Sequence, residues 1–281
     1  MTCITCWRTC RRFAESLALL TLMASASAAQ EVPVEALLHP AADSWPTYHG
    51  DYSGRHHSAL AQIAPANVKQ LTLAWAFQTN LAQSIKATPI LVNGIIYLSA
   101  PDNVWAIDAR DGTILWQYYW KTRGGTHIGN RGVGMWRNYL FVETPDDYLV
   151  KLDARTGKEM WHVEISPFEQ QYFSTMAPVI IRDHVIVGTG NDLDEPGLLQ
   201  SFDPETGKRQ WVWYSVPMTK DDPALKTWKN LDAAKHGGGQ MWVPGAYDPE
   251  THLYITGTGN PSPAYTSVGR GEGDNLYTCA I

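Results

Sequence analysis

Residues 106–116 read AIDARDGTILW, and the phrase returns as KLDARTGKEMW at 151–161 and SFDPETGKRQW at 201–211. Each copy carries aspartate, glycine and tryptophan at matching places: Asp108, Gly112 and Trp116, then Asp153, Gly157 and Trp161, then Asp203, Gly207 and Trp211. The tryptophans follow one another at 45 and 50 residues. A period of that length holding several short strands marks a β-propeller built from stacked blades. In the turn, an aspartate side chain can accept from the backbone two residues on, and glycine takes a conformation that a Cβ makes costly. The tryptophan on the outermost strand is expected to lie flat between blades, its indole N–H on a neighbouring carbonyl. Any single tryptophan here reads first as a docking residue and only then as a catalytic one.

The first complete repeat divides into β segments 87–92, 95–99, 103–108 and 114–118, with Asn93-Gly94 suited to a tight hairpin turn. The expected fold is all-β, a propeller of four-stranded antiparallel blades. A second repeat runs from Gly132 to Trp161 and a third from Ala177 to Trp211. A fourth opens at Met241-Trp242, continues through Leu253-Tyr254-Ile255 and reaches Asn275–Ile281 without its turn and tryptophan. Leu71-Thr72-Leu73-Ala74-Trp75 reads as a lone outer strand. Residues 30–281 are thus expected to be an incomplete propeller domain, the N-terminal part of a longer protein. The 12 tryptophans and 13 tyrosines suit blade docking, and a net charge of −6 argues against non-specific nucleic-acid binding.

Arg8, Arg11 and Arg12 precede the apolar run Leu17–Met23 and the small residues 24–29, the layout of a secretory signal peptide over residues 1–29. The apolar run is too short to span a bilayer, so no transmembrane helix is expected in the mature chain. Export places the expected location in the periplasm. Cys3, Cys6 and Cys10 fall inside this leader, so their spacing is not read as a metal site, and Cys279 is left without a partner in the visible mature chain.

Further segments follow in a telling order: Trp45–Arg55 (WPTYHGDYSGR), Ala87-Thr88-Pro89, Asn130-Arg131-Gly132-Val133, Ala177-Pro178, Gly237–Trp242, Tyr247–Glu250, Gly257-Thr258-Gly259-Asn260 and Gly273–Leu276. In that order the chain resembles the pyrroloquinoline quinone (PQQ)-dependent alcohol dehydrogenases. The resemblance implies an eight-bladed propeller, about four blades of which are present, with PQQ and a calcium or lanthanide ion at its axis. It implies an exported oxidoreductase acting on the CH–OH group of small alcohols and passing electrons to cytochrome c or quinone. PQQ is a flat tricarboxylate, which calls for an aromatic floor, cationic and hydroxyl partners, and a hard cation. By resemblance Trp242 is the floor, Arg131 bonds the quinone oxygens, Thr175 bonds a carboxylate and Asn260 binds the metal. The metal-binding carboxylate falls within Gly188–Glu195; counting back from Asp203 gives Asp192, and a loop shift gives Asp194. The family's catalytic aspartate falls beyond Ile281, so no catalytic residue is named in this chain.

Several positions depart from the family. Lys86 stands where a glutamate usually precedes Ala-Thr-Pro, Gly125 and Thr126 where many members carry adjacent disulfide-bonded cysteines, Met176 for a glycine and Gln240 for a threonine. These departures keep a second reading open, a non-catalytic binding or scaffold propeller with an empty or repurposed central pocket. His127 and His184 can titrate near neutral pH, and a lone histidine also serves in turns and packing.

Overall fold

Asn93 and Gly94 take φ of 51° and 75°, the left-handed pair that a two-residue hairpin turn needs. They join β1 (Ile90–Val92) to β2 (Ile95–Ala100), and β3 (Asn103–Asp108) and β4 (Ile114–Tyr119) complete an antiparallel blade in simple order. A second blade follows from β5 (Gly134–Trp136), β6 (Tyr139–Glu143), β7 (Tyr148–Asp153) and β8 (Glu159–Glu164). The third uses β9 (Phe173–Ser174), β10 (Val179–Ile181), β11 (His184–Gly190), β12 (Leu198–Phe202) and β13 (Arg209–Tyr214). A hairpin of β14 (Ala246–Asp248) and β15 (Leu253–Ile255) ends the strand order. This computed structural model describes residues 32–124, 129–191 and 193–281. The expected signal peptide, Gly125, Thr126, His127 and Asp192 lie outside the described residues.

Burial follows position in the blade. The third strand of a blade is covered on both faces by its neighbours, so β3 and β7 are buried almost throughout. The fourth strand is covered on one face, so β8 alternates strictly between half-buried and exposed. The main apolar cluster runs from Ile90 and Tyr97 through Phe141 and Leu152 to Val187 and Phe202, with smaller clusters around Trp105 and around Trp228.

The repeated phrase builds the seams. In each copy the glycine N–H donates to the aspartate carbonyl: Gly112 to Asp108 at 2.9 Å, Gly157 to Asp153 at 2.8 Å and Gly207 to Asp203 at 2.9 Å. Each aspartate Oδ1 accepts from the backbone N–H two residues on, at Arg110, Arg155 and Glu205. The tryptophan of one repeat then lies on the glycine of the next. A Cβ on Gly157 would come within 2.6 Å of the Trp116 ring, and one on Gly112 within 2.7 Å of Trp75. Trp161 sits on Gly207 in the same way. The indole N–H donates across the seam each time: Trp75 to Ala109 O, Trp116 to Ala154 O and Trp161 to Glu205 O, at 3.2, 3.0 and 3.0 Å.

Three segments differ from expectation. Leu71–Trp75 forms no strand, although Trp75 docks as the others do. Met241-Trp242 is not a strand either; there the Gln240 carbonyl accepts from Gly259 N–H and ties the segment sideways. Asn275–Ile281 curls into turns, because Asn275 and Cys279 are left-handed at φ 52° and 47°.

Candidate functional site

The inner ends of the three blades are laced together by backbone hydrogen bonds. Thr88 N–H donates to Arg131 O at 2.8 Å, and Arg131 N–H donates to Thr175 O at 3.1 Å. Gly132 makes this approach feasible: its φ is 142°, and a Cβ there would come within 2.9 Å of Thr88 O. In the third blade the innermost strand is interrupted. β9 and β10 both pair with β11, at its two ends, and the gap between them is Thr175–Pro178. The interruption turns Thr175 away from a regular ladder and toward Arg131.

The side chains sharpen that meeting. Arg131 Nη1 donates to Thr175 Oγ1 at 2.7 Å and to Thr175 O at 3.0 Å. The same guanidinium stands 4.7 Å from the centroid of the Trp242 ring, a cation–π distance. Trp242 remains 44% exposed, so an open aromatic face is retained beside a cation. The structure therefore brings Arg131, Thr175 and Trp242 together although they are far apart in the sequence, Arg131 and Thr175 at the entries to the second and third repeats and Trp242 at the start of the fourth. Partial burial pulls the Arg131 guanidinium below its usual value, and nearby Tyr48 and Glu143 act the other way.

Asn260 lies on the chain beside this floor. Its carbonyl accepts from Gly239 N–H at 2.9 Å, and a Cβ on the preceding Gly259 would reach within 3.4 Å of Trp242 Nε1. The Asn260 side chain is exposed and its Nδ2 donates to Pro261 O at 3.3 Å. Asp192 lies outside the described residues, and Asp194 offers its backbone carbonyl to His236 Nδ1 at 2.8 Å. Among the described residues no three His, Cys, Asp or Glu side chains gather as a metal cluster. An open aromatic face, a guanidinium and a hydroxyl fit a planar polycarboxylate. Of the residues expected by resemblance at the metal, Asn260 and Asp194 are described and Asp192 is not.

Other positions separate into neighbours of the site and bystanders. Lys86 is exposed, and Met176 is fully buried as a packing residue. His184 bonds Ser201 and Gln210 through Nδ1 and is a packing histidine at the start of β11. The strap 45–55 was legible as a motif but not as a tie. It bridges to Leu91 through Trp45, and Tyr52 donates to Ile180 O and accepts from Tyr247 N–H. His49 Nε2 donates to Pro244 O at 3.1 Å, which leaves Nδ1 to accept from His56 Nε2 at 2.7 Å. Burial lowers the His49 pKa, in keeping with a neutral ring. The inner strand ends also carry a buried carboxyl pair, Glu143 and Asp147, that sequence reasoning missed. The Pro145-Asp146-Asp147 stretch has the composition of an ordinary surface turn and gives no signal of burial.

Comparison with known proteins follows the same residues. A family model described as the glucose/ethanol/alcohol dehydrogenase β-propeller domain, PQQ type, matches residues 45–281. A quinohemoprotein alcohol dehydrogenase from Comamonas testosteroni is 38% identical over 261 residues, covering 84% of this chain and 36% of that enzyme. Its crystal structure superposes with a TM-score of 0.82 over 90% of this chain and 41% of that one, at 36% identity. Subunit 1 of a methanol dehydrogenase [cytochrome c] from Methylobacterium organophilum is 34% identical, covering 96% of this chain and 49% of the subunit. A europium-containing methanol dehydrogenase structure gives a TM-score of 0.78 at 28% identity, over 85% of this chain and 46% of that one. The chain thus spans less than half the length of these relatives. No helix among the described residues is long and apolar enough to cross a membrane.

Proposed function

The chain belongs to the PQQ β-propeller family of glucose, ethanol and alcohol dehydrogenases, and from that premise we propose that it forms the cofactor cradle of a quinoprotein alcohol oxidoreductase. One observation carries the reading: Arg131 is bonded to Thr175 while its guanidinium stands 4.7 Å over the Trp242 ring. When bound, PQQ supplies the quinone that accepts two electrons from the alcohol. The chain's own residues do the rest. Trp242 offers a flat face that orients a planar ligand, Arg131 offers charge-assisted donors to its oxygens, and the Thr175 hydroxyl can donate to a carboxylate. Asn260, with Asp192 or Asp194, would hold a calcium or lanthanide ion beside it. Residues 1–29 would direct export to the periplasm, where cytochrome c or quinone would take the electrons.

The test is a titration of the purified protein with PQQ in calcium, followed by quenching of tryptophan fluorescence. Saturable quenching is expected, weakened roughly tenfold or more in Arg131→Lys and in Trp242→Ala, which is about 1.4 kcal/mol or more. Lys cannot reproduce the guanidinium fork. Quenching that never saturates, or that both variants leave unchanged, would overturn the reading. A second reading, an anion-binding propeller without turnover, is favoured by exposed Lys86 in place of the family's glutamate. Alcohol-dependent dye reduction after reconstitution separates the two. Export is checked by sequencing the N-terminus of the secreted form, expected to begin after Ala28 or Ala29.

A further inference from the structure

Glu143 ends β6, and Asp147 opens the return into β7, so both stand at the inner end of the second blade. Glu143 is 2% exposed and Asp147 0%. Asp147 Oδ1 accepts from Ser174 Oγ, and Thr189 Oγ1 stands 3.1 Å from it with its one proton also within reach of Phe173 O at 2.9 Å. Ser174 lies within reach of Glu143 as well, but its single proton is directed at Asp147. Both Glu143 oxygens, Asp147 Oδ2 and the nearby Ser166 hydroxyl are buried without an aligned partner among the described residues. Two carboxylates buried together, with both Glu143 oxygens and one Asp147 oxygen lacking a partner, are untenable as a doubly charged pair. One proton resolves the arrangement, because a neutral Glu143 can donate where an ionised one can only accept.

We propose that Glu143 and Asp147 form an internal proton-holding pair that carries one shared proton and sets the charge facing Arg131. The pair is fixed to that arginine's own segment. Asn130 Nδ2 donates to Glu143 O at 2.8 Å, and Ser99 Oγ donates to Asn130 Oδ1 at 2.5 Å. Arg131 is the cation facing Glu143, and Tyr254 faces it from β15. Glu164 and Tyr172 face Asp147, and Glu164 is itself paired at the blade edge with Arg123, which also meets Asp146. Burial pushes Asp147 up to about 6 and Glu143 well above the usual carboxylate range. With its proton the pair presents one negative charge to Arg131; without it, two. An anionic ligand on Arg131 competes with that second charge, so its affinity falls as pH rises. Glu143 is therefore a positioning residue that acts through Arg131.

The PQQ arm of the test rests on the proposed function; the other two arms do not. In the ligand-free protein at neutral pH, infrared spectroscopy should show the carbonyl stretch of a buried neutral carboxyl, absent in Glu143→Gln. The folded pair holds more protons than the unfolded chain, so the urea midpoint should fall as pH rises from about 4 through 6 and above. Glu143→Gln and Asp147→Asn should each flatten that fall, and asparagine tolerates the left-handed φ of 64° at position 147. PQQ affinity should drop roughly tenfold over the same rise in wild type and little in Glu143→Gln. The absence of the neutral-carboxyl band, with a midpoint whose pH dependence matches that of Glu143→Gln, would overturn the pair. Failure of PQQ to bind at any pH would sink the proposed function and leave the first two readouts to judge the pair.

Discussion

The rim and the hub of this propeller use the same blades in opposite ways. At the rim, three seams repeat one contact: Trp75 on Gly112, Trp116 on Gly157 and Trp161 on Gly207, each with an indole N–H on the neighbouring turn. At the hub, the corresponding inner entries carry Thr88, Arg131 and Thr175, an arginine between two threonines on one line of backbone hydrogen bonds. Repetition at the rim serves cohesion, because every seam must close at a similar angle. The hub breaks that repetition with Arg131, and a planar, asymmetric ligand would need such unlike partners around it. The hub can diversify because the rim and core hold the blades without it.

Substitutions can break or sharpen that contrast. The largest loss is expected at a seam: Trp116→Ala removes ring packing and an indole hydrogen bond, about 3 kcal/mol by urea denaturation. Next comes the glycine beneath that ring. Gly157→Ala adds a clash with Trp116 to the strain of φ 71°, for about 2 kcal/mol in total. Gly94→Ala is its control, because φ is 75° and nothing lies within 4 Å, leaving backbone strain of about 1 kcal/mol. The difference between the two glycines measures the seam contact alone. At the hub, Trp242→Ala should change stability by less than about 1 kcal/mol while weakening PQQ-dependent quenching roughly tenfold or more, since the ring is half exposed. Smallest of all, Lys86→Ala should stay within about 0.5 kcal/mol by the same denaturation series.

The same contrast explains what could be read before a structure. The seams were legible because Asp, Gly and Trp each have a local physical duty that recurs at fixed spacing. The Asn93-Gly94 turn was legible for the same reason. Arg131, Thr175 and Trp242 were identified through resemblance, and the structure supplies the reason the first two meet: the break in the inner strand at Thr175–Pro178. That break depends on pairing across β11, and its one local mark is Pro178, which has no N–H to give a ladder. Glu143 and Asp147 were invisible because burial of a turn is decided by what packs over it, not by its own composition. Met241-Trp242 was misjudged as a strand because an apolar pair reads the same whether it joins a ladder or is tied sideways to Gly259.

A crystal structure of the protein grown with PQQ and calcium tests both halves of the contrast at once. The quinone should lie on the Trp242 face with Arg131 and Thr175 bonded to it, while Trp75, Trp116 and Trp161 keep their places on Gly112, Gly157 and Gly207. PQQ bound away from Trp242, or those indole rings displaced from the neighbouring glycines, would contradict the account.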